Sequence, residues 1–386
     1  MNSPPLRVLF LTPYFRPYLG GIERAIEQLS FKIMESPQVE AVAVLTTKYA
    51  FPRIPHPEWS DRDVTPEGIQ IFRLRGFPQR ALPRYSVPLV WFPPGRVRQY
   101  LREFQPNVIH LVGDGWFWGH LWSWFWFRRR ARFVFTPSYH TLPWVRWWLR
   151  PINGFICRVV DQVIALTRQE ADQLYRDYWV PRQRLGVIAW GASPLVASAE
   201  GPAEDVVTIL CVGRLGAHKG QGWLLEVYQQ ARAHFQRATR LVLVGHDEDA
   251  EASLRATVRR AGLEAEVRFT GQLGDRELAD WYARSHLFAL FSQYEAFGLV
   301  YFEAMIAGIP VLTHDVGANR ELLIRGAVVT PRFDQPAAVA ELVRLVNDEP
   351  YRRGLSQEAR QYVLEEFTWS AVANKYLAVY RPPVGG

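Results

Sequence analysis

The sequence predicts an α/β protein made of two doubly wound domains facing across a cleft. Short continuous apolar runs alternate with helix-patterned segments from end to end, as expected for parallel strands covered on both faces. The alternation breaks once, at Ser193–Asp205 (SPLVASAEGPAED), a small, polar stretch with Pro and Gly that reads as a linker, and then restarts. With 386 residues, 48% of them hydrophobic, the chain is long enough for two cores rather than one.

The first strand is Arg7–Leu11 (RVLFL), followed by an amphipathic helix over Gly21–Met34. Val42–Thr46, Ile69–Leu74, Val108–Leu111 and Phe133–Thr136 are further strands, with helices over Pro93–Phe104 and Trp116–Arg128. Gln162–Leu166 is a strand leading into a capping box, Thr167-Arg-Gln-Glu170. Beyond the linker the strands are Val206–Val212, Leu241–Val244, Val267–Phe269, Leu287–Leu290, Val311–Thr313 and Val328–Val329, with helices between them and two or three more to close the chain. This predicts a first domain over 1–192, a linker over 193–205 and a second domain over 206–367. In open sheets of this kind ligands bind beyond the carboxyl ends of the strands, so the loops that follow strands are where chemistry is sought.

Charged residues make up 22% of the chain and the formal net charge is +7, nearly all of the cations being arginine. That balance suits nucleotide phosphates, anionic lipid surfaces or nucleic acid, and does not choose among them. Cys157 and Cys211 stand in apolar contexts without zinc-ligand spacing, so both read as buried hydrophobes in a reducing compartment. Met1–Arg7 lacks the pattern of a secretory leader. No run reaches the roughly 18 apolar residues of a spanning helix; the nearest, Trp116–Phe127, is short and contains His120. A cytoplasmic protein is expected, with the inner face of the membrane as its alternative location.

Residues 116–150 interleave tryptophan with arginine (WFWGHLWSWFWFRRRARF, then HTLPWVRWWLR). One reading is a buried helix with a solvated basic end. The other is peripheral association with an anionic membrane, because Trp favours the headgroup zone and Arg is drawn to anionic lipid. A platform for single-stranded nucleic acid would use the same residue types, but no RNA-binding motif accompanies them, and no nucleic-acid partner is expected.

Four segments carry chemistry. The most informative is Ser292-Gln-Tyr-Glu-Ala-Phe-Gly-Leu-Val-Tyr-Phe-Glu303, in which seven residues separate Glu295, in a loop after a strand, from Glu303, in the following helix. The backbone N–H groups of Phe297 to Val300 fall at that helix's N-terminus and suit an anion such as a diphosphate. Two carboxylates beside an anion site repel it unless they accept hydrogen bonds, which sugar and ribose hydroxyls supply. The second segment, Val212-Gly-Arg-Leu-Gly-Ala-His-Lys-Gly220, places Arg214 and Lys219 at the same edge, able to neutralise a diphosphate without a metal. It lacks the spacing of a Walker A loop. The third, Thr12–Glu23, ends in Gly20-Gly21 at a helix start, where a ligand can approach backbone; it is not a GxGxxG dinucleotide fingerprint. The fourth is His140, just after the strand Phe133–Thr136, a lone histidine at a carboxyl edge.

Taken together these segments resemble glycosyltransferase family 4, whose members have the GT-B fold of two Rossmann-like domains. The resemblance covers nearly the whole chain: the GG loop, Asp161-Gln-Val-Ile-Ala-Leu-Thr167, the VGRL…KG segment, the two-glutamate string and Phe367–Tyr380. That last segment is similar to a final helix that crosses back, so 368–386 is expected to return to the first domain. The resemblance implies a retaining, metal-independent hexosyltransferase that uses a UDP- or GDP-sugar as substrate and needs no cofactor. It implies that Arg214 and Lys219 hold the donor diphosphate, Glu303 the ribose hydroxyls and Glu295 those of the transferred sugar. Gly213, Phe297, Gly298 and Leu299 would offer backbone; Gly20 and Gly21 would lie beside the diphosphate; His140 would contact the sugar near the reacting carbon. Arg214, Lys219, Glu295 and His140 form the expected catalytic set. The acceptor is a hydroxyl compound, with lipid-linked and membrane glycans among the candidates.

The sequence departs from the family pattern in three places. Ala296 stands where Gly is frequent, Ala189-Trp-Gly191 replaces Asn-Gly, and the turn after Leu241–Val244 is reduced to Gly245-His246-Asp247. The last departure leaves the nucleotide base open. Competing readings on the same fold are a nucleotide-sugar epimerase, which needs no acceptor, and a non-catalytic sugar- or nucleotide-binding protein.

Overall fold

The computed structural model describes residues 4–18, 20–50, 54–78, 90–91, 94–113, 117–138, 151, 153–193, 197, 205–295 and 297–381. The chain divides into two compact units: Met1–Trp190 with Trp369–Gly386, and Gly191–Thr368. Both are Rossmann-like α/β units, as the alternation of the sequence predicts.

The first unit holds an eight-stranded sheet of β1 (Leu6–Leu11), β2 (Val39–Thr47), β3 (Arg62–Val64), β4 (Gln70–Leu74), β5 (Val108–Val112), β6 (Arg132–Thr136), β7 (Gln162–Ala165) and β8 (Leu185–Val187). The order is β8-β7-β6-β5-β1-β2-β4-β3, parallel except for the β3–β4 pair. Val8, Leu9, Phe10 and Leu11 of the central β1 are all buried, which explains a strand that is apolar at successive positions rather than at alternate ones. The short edge strand β3 is exposed throughout and β8 lies at the other edge, only partly buried. Neither has the apolar run that signals a covered strand, and neither was expected.

Helices of this unit are α1 (Gly21–Met34), α2 (Pro94–Phe104), α3 (Phe117–Phe127) and α4 (Arg168–Tyr178). In α1, Ala25, Ile26, Leu29 and Ile33 form the buried stripe of an amphipathic helix. At α4, Thr167 Oγ1 accepts the Glu170 N–H at 3.0 Å, while the Glu170 carboxylate accepts from the Leu166 N–H at 2.6 Å. The return bond of the expected box thus lands one residue upstream of the cap. Trp122, Trp124 and Trp126 of α3 pack, partly buried, against the core of this unit, and Trp124 Nε1 donates to the Val159 carbonyl at 3.1 Å.

The second unit holds a six-stranded, wholly parallel sheet: β9 (Val206–Val212), β10 (Ala238–Val244), β11 (Val267–Gly271), β12 (Leu287–Ala289), β13 (Val311–His314) and β14 (Ala327–Thr330). Its order is β11-β10-β9-β12-β13-β14, so the winding reverses between β9 and β12. Its helices are α5 (Gln221–Arg232), α6 (Glu251–Arg260), α7 (Asp275–Arg284), α8 (Leu299–Ile306), α9 (Asn319–Leu322), α10 (Gln335–Asn347) and α11 (Glu349–Glu366).

The final helix, α12 (Trp369–Tyr380), is part of the first unit. Its Tyr376 stacks on Trp190, with ring centroids 6.0 Å apart. Its Tyr380 hydroxyl lies 2.7 Å from His110 Nδ1, and His110 Nε2 lies 2.8 Å from Thr136 Oγ1. Burial pushes the His110 imidazole down to about 3. The neutral ring therefore accepts on one nitrogen and donates on the other, so both nitrogens are satisfied inside the core.

Candidate functional site

In the second unit the loops that follow β9, β10 and β12 meet at the carboxyl edge, where the strand order reverses and ligands of such sheets bind. The loop after β9 runs from Gly213 to Gly220 and ends in a single 3-10 turn, Ala217–Lys219. Gly220 has φ +71°, and a Cβ there would lie 2.0 Å from the Phe291 carbonyl oxygen. Only glycine lets this loop rest against the residues leaving β12. The Gln293 N–H donates to the His218 carbonyl at 2.8 Å, closing the contact. Gly245, after β10, has φ +153°, and a Cβ there would lie 2.0 Å from the Gly213 carbonyl oxygen, so the third loop is pressed against the first in the same way.

This packing brings four charged side chains into two pairs. Lys219 Nζ donates to Glu295 Oε2 at 2.8 Å, with side-chain exposures of 18% and 13%, so both ends are shielded from bulk water. Ser292 Oγ lies 3.4 Å from the same oxygen. Arg214 is paired with Glu248 in the loop after β10. The Arg214 carbonyl accepts from Gln221 Nε2 at 2.9 Å, which ties the loop to α5. His218 stacks on Tyr294, with centroids 5.2 Å apart and planes 15° from parallel. Burial lowers its pKa, opposed by the nearby Glu248 carboxylate.

Helix α8 starts from Gly298, in the left-handed region at φ +74°. Phe297 is buried and stacks on Phe302 at 4.8 Å, so its ring serves the core and only its backbone can face a ligand. The first N–H groups of a helix have no partner within it and favour an anion. Glu303 sits on this helix, its Oε2 accepting from the Tyr282 hydroxyl at 3.0 Å. Arg214, Lys219, Glu295, Phe297, Gly298 and Leu299 thus lie on the loops and helix starts that follow β9 and β12, and Glu303 lies further along α8. Two cations and a helix N-terminus suit a diphosphate, and ionised carboxylates accept hydrogen bonds from hydroxyls.

In the first unit, Gly20 caps α1, its N–H donating to Glu23 Oε2 at 3.0 Å. A Cβ at Gly20 would lie 2.6 Å from that oxygen, so the missing side chain makes room for the helix's own cap. Gly21 is the first, exposed residue of α1. His140 lies outside the described residues, as does 139–150 of the Trp/Arg region. In the described part of that region, Phe125 is 54% exposed beside the exposed Arg128, Arg129 and Arg130, and the Arg128 guanidinium lies over the Trp124 and Phe125 rings. No described helix is long and apolar enough to cross a membrane. Among the described residues no group of three or more His, Cys, Asp or Glu could hold a metal ion.

Glu248, His218 and Tyr282 were not singled out from the sequence. His218 lies inside the VGRL…KG segment and Glu248 immediately follows the shortened turn after β10. Loop identity was therefore the available signal, and the pairing of acid with arginine was not.

Comparison with known proteins is consistent over both units. Residues 20–191 match the family model of the glycosyl transferase 4-like domain, and residues 196–362 that of glycosyl transferases group 1. The chain is similar to the GDP-mannose:cellobiosyl-diphosphopolyprenol alpha-mannosyltransferase of Komagataeibacter xylinus, at 26% identity over 98% of this chain and 94% of that protein. It is similar at 28% identity to mannosylfructose-phosphate synthase of Agrobacterium fabrum, over 58% of this chain and 53% of that one. Among solved structures, sucrose-phosphate synthase from Thermosynechococcus elongatus superposes with a TM-score of 0.76 at 22% identity, covering 98% of each chain. Anabaena HepE, solved in complex with UDP and glucose, gives 0.73 at 17% identity, covering 97% of this chain and 99% of that one.

Proposed function

The chain belongs to the GT-B glycosyltransferases with a family 4-like domain followed by a group 1 domain, and on that premise we propose that it is a retaining, metal-independent hexosyltransferase. As a member it is an enzyme that moves a sugar from a nucleotide-sugar donor to an acceptor. The donor in this reading is a UDP- or GDP-hexose. The observation that carries it is the convergence of Lys219–Glu295 and Arg214–Glu248 at the carboxyl edge of β9 and β12, beside the start of α8.

Arg214 and Lys219 take the diphosphate, aided by the backbone of Gly213, Phe297, Gly298 and Leu299. Glu303 accepts from the ribose hydroxyls and Glu295 from those of the hexose. Gly20, Gly21 and His140 are assigned to the substrates on the family resemblance alone. In the transfer, the bond from the sugar's anomeric carbon to the diphosphate oxygen breaks and a bond to the acceptor oxygen forms on the same face. The acceptor's proton passes to the departing diphosphate. Charge developing on the leaving group meets two fixed cations and a helix N-terminus, the kind of preorganised stabilisation that dominates many enzymatic rate enhancements. The two cations supply what a metal ion would otherwise provide.

The acceptor in this reading is a lipid-linked saccharide, and the enzyme works at the cytoplasmic face of a membrane. The Komagataeibacter relative is named for a diphosphopolyprenol acceptor, and Phe125 with Arg128, Arg129 and Arg130 offers an exposed apolar and cationic patch.

Incubating the protein with UDP- and GDP-hexoses, with and without lipid extract and EDTA, tests the whole reading through release of nucleoside diphosphate. Release from one donor, stimulated by lipid, indifferent to EDTA and lost in Glu303→Ala, is expected. No release from any donor, together with no donor binding by calorimetry, refutes it.

A further inference from the structure

We propose that Glu248 is a positioning residue that trades Arg214 with the nucleoside diphosphate, holding the guanidinium until a diphosphate takes it and reclaiming it to drive product release. This rests on the reading that Arg214 meets the donor diphosphate.

Glu248 is placed by backbone, not by a loose side chain. Its N–H donates to the Leu215 carbonyl at 3.0 Å, and the Leu215 N–H donates to the His246 carbonyl at 2.8 Å, so the two loops are stitched together at the residue that follows Arg214. Of its two acidic neighbours, Asp247 is otherwise engaged: its Oδ1 accepts the Ala250 and Glu251 N–H groups at 3.0 Å each, at the start of α6. Gly216 makes the space, since a Cβ there would lie 2.7 Å from Glu248 Oε2. The same oxygen lies 3.5 Å from His218 Nδ1.

The charges then balance pair by pair, Lys219 against Glu295 and Arg214 against Glu248. Glu295 has hydroxyls of the sugar to accept from when the donor arrives. Glu248 is assigned no hydroxyl of the substrate; it keeps the His218 ring 3.5 Å from its Oε2, and a diphosphate on Arg214 brings like charge against it. Its carboxylate therefore opposes the nucleoside diphosphate directly, weakening a product that would otherwise be held by both cations.

Calorimetry with UDP and GDP on the full chain, beside steady-state kinetics with added product, reads this out. Glu248→Gln keeps the shape and removes the charge. It should bind the nucleoside diphosphate about tenfold more tightly at low salt, with stronger product inhibition and a lower kcat, while Glu248→Asp stays near the parent protein. Unchanged or weaker binding in Glu248→Gln, with its melting temperature preserved, overturns the proposal. If Glu248→Gln melts early, Glu248→Asp decides: tighter binding in that variant, which keeps the charge, also overturns it. Arg214→Ala separates the two layers. If it leaves binding of the nucleoside diphosphate unchanged, the assignment of Arg214 to the diphosphate is wrong. If it weakens binding while Glu248→Gln changes nothing, only the trade is wrong.

Discussion

Lys219 and Glu295, separated by 76 positions in the chain, meet at 2.8 Å across the reversal point of the second sheet. The cation assigned to the donor phosphate and the acid assigned to the donor sugar thus orient each other. Lys219→Ala is expected to lower turnover by about 100- to 1,000-fold, the scale of losing one preorganised charge at a leaving group. Circular dichroism should show the fold intact, because the pair is at the edge and not in the core. Initial rates of nucleoside diphosphate release check this, and near-parental rates would remove Lys219 from the chemistry.

Gly220 and Gly262 both have positive φ, +71° and +63°, but only the first faces an obstacle. Gly262→Ala should cost about 1–2 kcal/mol, the penalty of the left-handed conformation alone. Gly220→Ala adds a backbone collision with Phe291 and should cost more than that, with loss of donor binding as the loop is pushed off β12. Thermal melts of the two variants side by side distinguish strain from collision.

His110 gives the first unit an acid-sensitive core. Its folded pKa is about 3 against an ordinary 6.5. Above pH 6.5 the ring is neutral in folded and unfolded chains and contributes no pH dependence. As pH falls from 6.5 toward 3, only the unfolded chain takes up the proton, so stability declines across that window. His110→Gln should flatten the slope of stability against pH there by about one proton, read from denaturant titrations at pH 7 and pH 5. An unchanged slope would mean that the ring titrates normally.

Tyr380→Phe removes the partner of His110 Nδ1. A buried polar atom left unsatisfied costs about 1–3 kcal/mol. Hydrogen exchange should show the loss concentrated in α12 and in the ends of β5 and β6, with the second unit unaffected.

Under the proposed function, Arg128, Arg129 and Arg130 supply about 1 kcal/mol each toward an anionic surface. Changing all three to glutamate should abolish co-sedimentation with phosphatidylglycerol vesicles while leaving donor binding unchanged. Equal sedimentation would place membrane contact elsewhere.

Most of the architecture was legible because covered parallel strands have a simple signature. β1, β9 and β10 are apolar at successive positions and lie in the sheet interiors. The edge strand β3 has no such run, since its residues face water and its pairing depends on a neighbour remote from any local pattern. The candidate site was legible in its loops. Spacing placed Arg214, Lys219 and Glu295 on loops and Glu303 on a helix after strands that proved adjacent, and the sheet order brought Lys219 to Glu295. What spacing could not show is which acid answers which cation. Glu248 reaches Arg214 only because Gly245 and Gly216 let two loops touch, and such contacts are written in three dimensions.

The seat of α12 bears on how the protein is made. His110 and Tyr380 are 270 positions apart, and the chain leaves the first unit after Trp190 to return only at Trp369. A nascent chain leaving the ribosome presents the whole first sheet long before the helix that covers His110 has been translated. The second unit, contiguous in sequence, has all its residues first, so the half begun earliest is the half finished last.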